Sequence, residues 1–197
     1  TNLATGEDVM PNGTIINPVW SDTAVTGSAL YFDLAEKMPD ELASYVDFGT
    51  YDPAQGGGQF TFSCWYYWNG INGEYSGLTG KRDDWTEATV YWDLTFKRTG
   101  PIQFEAVGPK EEKQSVVSDE IPLVRTWQNL TITYDGTTAI IYLDGKLIKQ
   151  GEMKLGLKKD AAFMLGCCEP LGVTPFSGHL DEVRYYNRVL TSNEVYQ

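Results

Sequence analysis

The chain has little of what metal and nucleophile chemistry needs. A single histidine, His179, and three cysteines, Cys64, Cys167 and Cys168, stand among 197 residues. No Cys-x-x-Cys occurs, so a Cys/His zinc site has no basis in the sequence. The odd cysteine count argues against a full disulfide framework. The adjacent Cys167 and Cys168 are poor partners for each other geometrically. Cys64, between hydrophobic neighbours, reads as a small buried thiol, with a bridge to one of the pair left open. Positive charge is also scarce: 15 Lys and Arg against 27 Asp and Glu give a formal net charge of −12. Such a surface repels nucleic-acid phosphate and anionic lipid. It suits calcium or a neutral glycan, and it also serves plain solubility. No stretch is long and apolar enough to span a membrane. No signal peptide is present, and the chain opens on Thr1-Asn2-Leu3.

Known catalytic and binding signatures are missing too. No Gly-x-Ser-x-Gly elbow accompanies His179, which is expected at the surface. The Gly-rich run ending Gly80-Lys81 has Tyr75 and Arg82 where a phosphate loop needs glycine and Ser or Thr, so it is an ordinary loop. No Asp-x-Asp-x-Asp-Gly calcium loop occurs.

What is present is β-patterning. Hydrophobic residues make up 42% and charged residues 21%, which is enough apolar material for a globular core. Phe60 to Trp68 reads as one strand, with Phe60, Phe62, Cys64, Tyr66 and Trp68 on one face and Thr61, Ser63, Trp65 and Tyr67 on the other. Ala88–Lys97 puts Val90, Trp92, Leu94 and Phe96 on one side. Ile102–Val107 pairs with it across Thr99-Gly100-Pro101. Leu130–Tyr134 alternates, and Ala139–Leu143 is a short apolar run. Asp135-Gly136 and Asp144-Gly145 mark tight turns. Asn69–Gly80, with its Gly and Asn, is expected to be a long loop. Pro109–Arg125 reads as charged and irregular. Residues 1–28 form an arm with a short strand near Ile15-Ile16, and residues 29–197 form the main domain, both belonging to one unit. Short strands with turn punctuation and almost no helix periodicity predict an all-β, antiparallel two-sheet β-sandwich.

Asp181 poses a sharper question. In an unbroken strand it shares a face with Val183 and Tyr185. A carboxylate on an apolar face is costly when buried unpaired. It therefore lies at the sheet margin, pairs with a cation such as Arg188, or binds a metal ion.

Gly178-His179-Leu180-Asp181-Glu182-Val183-Arg184-Tyr185-Tyr186-Asn187-Arg188-Val189-Leu190-Thr191 resembles the C-terminal signature of laminin-G-like, concanavalin A-like jelly-roll domains. Ala29–Asp33 with Tyr45–Gly49, Phe60–Trp65, and Trp127–Gly136 with Ile141–Leu147 resemble three further stretches of that family, in order. The resemblance covers roughly residues 29–195 and is worded most like bacterial members. It implies a jelly-roll sandwich that carries many unrelated functions. It points to one structural calcium ion, with Asp181 and Asp33 as ligands. Glycoside hydrolases of this topology carry Glu-x-Asp-x-Glu on one strand. That triplet is absent, so no catalytic residue is expected.

Aromatic residues are 13% of the chain, with 6 Trp and 12 Tyr. Sugars bind to rings by stacking, with carboxylates and amides on their hydroxyls. Trp68, Tyr75, Arg82, Asp83 and Trp85 are the candidate ligand residues, because they lie in or beside the expected loop. Trp65, Trp92 and Trp127 are expected in the core. The reading is a non-catalytic carbohydrate-binding module of a secreted or cell-surface protein, joined to other domains of a larger chain. The alternatives are a protein-binding or adhesion module of the same fold and, third, a glycoside hydrolase.

Overall fold

The computed structural model describes residues 10–33, 44–55, 58–70, 73–83, 90–98, 100–156, 160–170 and 174–196. In chain order its strands are β1 (Thr14–Ile16), β2 (Val19–Ser21), β3 (Ala29–Phe32), β4 (Tyr45–Asp47), β5 (Phe60–Trp68), β6 (Tyr75–Arg82), β7 (Val90–Lys97), β8 (Ile102–Val107), β9 (Lys113–Val117), β10 (Trp127–Tyr134), β11 (Thr138–Leu143), β12 (Lys146–Glu152), β13 (Phe163–Leu165) and β14 (Gly178–Tyr186). One short helix, α1 (Ser192–Val195), follows. Two seven-stranded sheets result. Sheet I runs β1-β4-β13-β6-β7-β8-β9 and sheet II runs β12-β11-β10-β5-β14-β3-β2. Every strand pairing is antiparallel. This is the expected β-sandwich, and the arm contributes β1 and β2 to different sheets.

Period-two alternation makes the core. From β5, Phe60, Phe62, Cys64, Tyr66 and Trp68 point inward and are buried. Trp92, Leu94 and Phe96 of β7 and Phe104 of β8 meet them from sheet I. Trp92 lies 5.3 Å from Phe60 and Phe96 lies 5.0 Å from Trp68, ring centre to ring centre. All three cysteines are buried thiols.

The structure departs from the sequence reading in several places. The expected loop 69–80 contains most of β6, a central strand of sheet I. Its glycines serve close approach. A Cβ on Gly77 would sit 2.6 Å from Cys168 Sγ, and one on Gly80 would sit 3.0 Å from Cys168 O. The segment after β13 thus crosses directly over β6, pinned by Gly77 N–H to Thr174 O at 2.8 Å. Lys81 is no loop residue either: it is fully buried and donates to Thr50 O at 2.9 Å and Ala161 O at 2.6 Å. The irregular stretch 109–125 contains β9, the edge strand of sheet I.

Asp181 neither lies at a sheet margin nor pairs with Arg188. A β-bulge between Asp181 and Arg184, with Glu182 at φ 50°, breaks the face relation within β14. Asp181 pairs with outward Trp65, whereas Tyr185 pairs with inward Phe62. The loop before β3 covers Asp181. Its Oδ2 accepts the backbone N–H of Val25 at 2.8 Å and of Thr26 at 2.9 Å, and Oδ1 accepts that of Glu182 at 2.8 Å. Arg188 instead pairs with Glu194 at 2.7 Å, beside the capping box of α1.

Candidate functional site

The alternation that fills the core also sends a second set of side chains to the outer face of sheet I. On β7 these are Asp93 and Thr95, and on β8 they are Gln103 and Glu105. The hairpin register sets Asp93 opposite Glu105 and Thr95 opposite Gln103. Four polar side chains therefore make a two-by-two block. All four residues are at most 6% exposed. With Tyr75 of β6 and Lys113 of β9 they line a small, shallow pocket.

The charges inside are paired. Arg82 Nη1, fully buried at the end of β6, donates to Asp93 Oδ2 at 2.5 Å. Lys113 Nζ reaches Glu105 Oε1 at 3.0 Å, and Gln103 Nε2 donates to Glu105 Oε2 at 2.5 Å. Burial pushes the Asp93 carboxyl up to about 7; the Arg82 charge opposes that shift and Glu105 adds to it. Two acceptors remain without donors. Thr95 Oγ1 is buried and unpartnered, and among the described residues no donor reaches Asp93 Oδ1. A buried polar atom without a partner is costly, so a hydroxyl donor arriving there has something to gain.

The expected site residues scatter. Trp68 is 4% exposed and packs into the core, so it cannot serve as a sugar platform in this arrangement. It ends an alternating strand and faces inward like its i−2 neighbour. Tyr75 is half-buried at the pocket mouth, with Lys97 Nζ 5.7 Å from its ring centre. Arg82 lies beneath the pocket as the partner of Asp93. Asp83 is exposed just beyond β6. Trp85 lies outside the described residues. Of the three tryptophans expected in the core, Trp92 is there; Trp65 and Trp127 are half-buried on the outer face of sheet II.

That second outer face carries an aromatic row. Tyr31, His179, Tyr67 and Trp127 come from β3, β14, β5 and β10 and stand in register. Adjacent ring centres are 4.7 to 5.7 Å apart, but the planes are inclined by 39° to 84°. His179 Nε2 meets Ser21 Oγ at 3.2 Å, and burial lowers the imidazole pKa.

Asp33 and Asp181 do not form one metal site. Leu180 pairs with Leu30 and Gly178 with Phe32, so Asp181 lies at the Ala29 end of β3 and Asp33 beyond the other end. At a strand rise of about 3.3 Å per residue they are roughly 13 Å apart. Calcium binds its oxygens at about 2.3–2.6 Å. Among the described residues, no group of three or more His, Cys, Asp or Glu side chains could hold a metal ion.

A laminin-G-type family profile, described as concanavalin A-like lectin/glucanases superfamily, matches residues 40–196. The chain belongs to the concanavalin A-like lectin/glucanases superfamily. Solved structures share this superfamily domain's fold. Domain 4 of AbnA, a GH43 extracellular arabinanase from Geobacillus stearothermophilus, in complex with arabinotriose, is 17% identical with a TM-score of 0.69, covering 93% of this chain and 86% of that one. The botulinum neurotoxin type G receptor binding domain is 15% identical with a TM-score of 0.64, covering 93% of this chain and 45% of that one. A candidate carbohydrate binding protein from Bacteroides ovatus is 16% identical with a TM-score of 0.59, covering 85% of this chain and 45% of that one. No curated protein sequence matches. The fold fits a binding module. No helix among the described residues is long and apolar enough to cross a membrane.

Proposed function

We propose that this chain is a non-catalytic carbohydrate-binding module of a secreted or cell-surface protein, and that a glycan engages the outer-face pocket of sheet I. The observation that carries this reading is the buried, unpartnered Thr95 Oγ1 in a polar pocket with the Tyr75 ring at its mouth. Sugar hydroxyls both donate and accept, and the face of an aromatic ring supplies stacking. The pocket is too small to enclose a sugar ring, so a glycan lies across it and lowers a single hydroxyl into it. In the pocket Asp93 is bound to Arg82 and Glu105 to Lys113. The arabinotriose complex of the arabinanase domain supports the same class of ligand.

The test is a glycan array, followed by calorimetric titration of the retained glycan. Tyr75→Ala should cost about 1–3 kcal/mol of affinity. Thr95→Val should cost about 1 kcal/mol. Trp85→Ala tests the segment between Arg82 and Tyr91, where sequence places an indole beside Asp83 and Asp84; a loss there of about 1–3 kcal/mol puts that ring in the site. A glycan that binds with undiminished affinity to all three variants would exclude this pocket. Retention of no glycan would favour the adhesion reading. Ile121, Leu123 and Val124 favour that second reading, being 58%, 55% and 53% exposed in one short segment.

A further inference from the structure

We infer that the register-opposed Asp93 and Glu105 make this pocket selective for uncharged sugars and exclude uronic and sialic acids. The inference rests on the glycan reading and names the ligand class of that same site. Its basis is the inventory of the two-by-two block. Buried Arg82 is engaged by Asp93, and Lys113, half-exposed on the edge strand β9, by Glu105. Asp93 Oδ1 lacks a hydrogen-bond donor, and the Thr95 hydroxyl, which can donate or accept, lacks a partner. A sugar hydroxyl serves either. A carboxylate can take the Thr95 proton but brings none to Asp93, and it adds a third negative charge beside two desolvated ones.

The groups facing the pair come from every side. Arg82 and Tyr75 lie on β6, Gln103 shares β8 with Glu105, Lys113 lies on β9, and Cys168 and Glu169 lie on the crossing segment. Of the cations near the pocket, Lys97 stands apart from the acid pair, over the outer side of the Tyr75 ring. Burial is the main cause of the elevated affinity of Asp93 for its proton; Arg82 opposes it and Glu105 adds to it. A discriminating site of this kind works by what it leaves unsatisfied in the wrong ligand.

The experiment is an array of matched oligosaccharides read at pH 8: galactose trimers against galacturonate trimers, and lactose against 3′-sialyllactose, among other neutral and acidic pairs. Neutral members should be retained and their acidic counterparts bound about tenfold more weakly or worse. Glu105→Gln should narrow that ratio several-fold, with neutral and acidic affinities both measured on the variant itself. Glu105→Gln is the primary variant, because Asp93→Asn leaves Arg82 buried without its counter-charge and threatens folding. Acidic members bound as tightly as neutral ones, or a ratio unchanged in Glu105→Gln, would overturn the inference and leave the glycan reading standing. Retention of neither class would overturn both.

Discussion

The two outer faces of the sandwich differ more than the two inner ones. Inside, both sheets present the same rings and aliphatic chains. Outside, sheet I is floored by buried Asp93, Thr95, Gln103 and Glu105, covered on the β6 side by the segment carrying Cys168. Sheet II presents half-exposed Tyr31, His179, Tyr67 and Trp127. The aromatic row would pass for a sugar platform by composition alone. Its ring planes are tilted against each other by 39° or more, so they pack as neighbours and do not form a flat stacking surface. The polar block has fewer rings and more charge, and each face holds a buried polar atom without a partner, Thr95 Oγ1 in the block and His179 Nδ1 in the row. The faces differ in what surrounds that atom: paired charges in the block and tilted rings in the row.

The largest expected effect contrasts two tryptophans. Trp92→Ala, beneath sheet I, should cost about 3–5 kcal/mol in urea unfolding, because it empties the inter-sheet core. Trp65→Ala on the outer face of sheet II should cost clearly less; equal losses would mean that sheet II is covered as fully as sheet I. Next, Asp181→Ala should cost about 1–3 kcal/mol, since three backbone N–H groups lose their acceptor. Stability within 0.5 kcal/mol of the parent would show that the loop over sheet II is not held there, using about that value as the threshold.

A third prediction concerns pH. Asp93 has its carboxyl raised from 3.8 to about 7, so the folded state binds this proton more tightly than the unfolded chain. Its contribution to stability is therefore highest below about pH 4 and declines as pH rises toward about 7. The stability of the parent relative to Asp93→Asn should decline across that window, measured as urea midpoints; a difference that does not change with pH would mean that water reaches the outer face of sheet I. Fourth, Trp127→Ala should leave glycan affinity within about 0.5 kcal/mol of the parent. A loss as large as that of Tyr75→Ala would move the sugar to the aromatic row. The smallest expected effect is that of chelation. With Asp33 and Asp181 apart, EDTA should leave the melting midpoint unchanged, whereas a rise of several degrees with calcium would establish a bound ion elsewhere.

The core strands were legible because their chemistry is local. Phe60–Trp68 alternates without a break, and β5 has those same bounds. The Asp144-Gly145 turn adopts the left-handed backbone that its residues allow, with φ of 49° and 76°. β6 was illegible because Gly77 and Gly80 look like loop residues until the chain that crosses them is known. The bulge at Glu182 was invisible for the same kind of reason: it is set by a loop from the other end of the chain. The candidate site was half legible. Tyr75 and Arg82 were singled out for the wrong reason, as loop residues. Counting outward from the turn at Thr99-Gly100-Pro101 puts Thr95 opposite Glu105, whereas the observed register, two residues away, puts Asp93 there; a shift of two keeps all four polar residues on one face, so the face was legible and the pairing was not. Attention to the apolar side of that hairpin passed over them.

The place of β14 between β5 and β3 has a consequence for biosynthesis. Thr26 must wait 155 residues for the carboxylate that anchors it. At about 5–20 residues per second on the ribosome, that interval is roughly 8 to 30 s. Once β5 has emerged, the nascent chain carries two open strand edges that only β14 can fill. Such edges invite pairing with other chains. The second sheet therefore zips shut from its middle, and chaperone demand should be greatest just before β14 emerges.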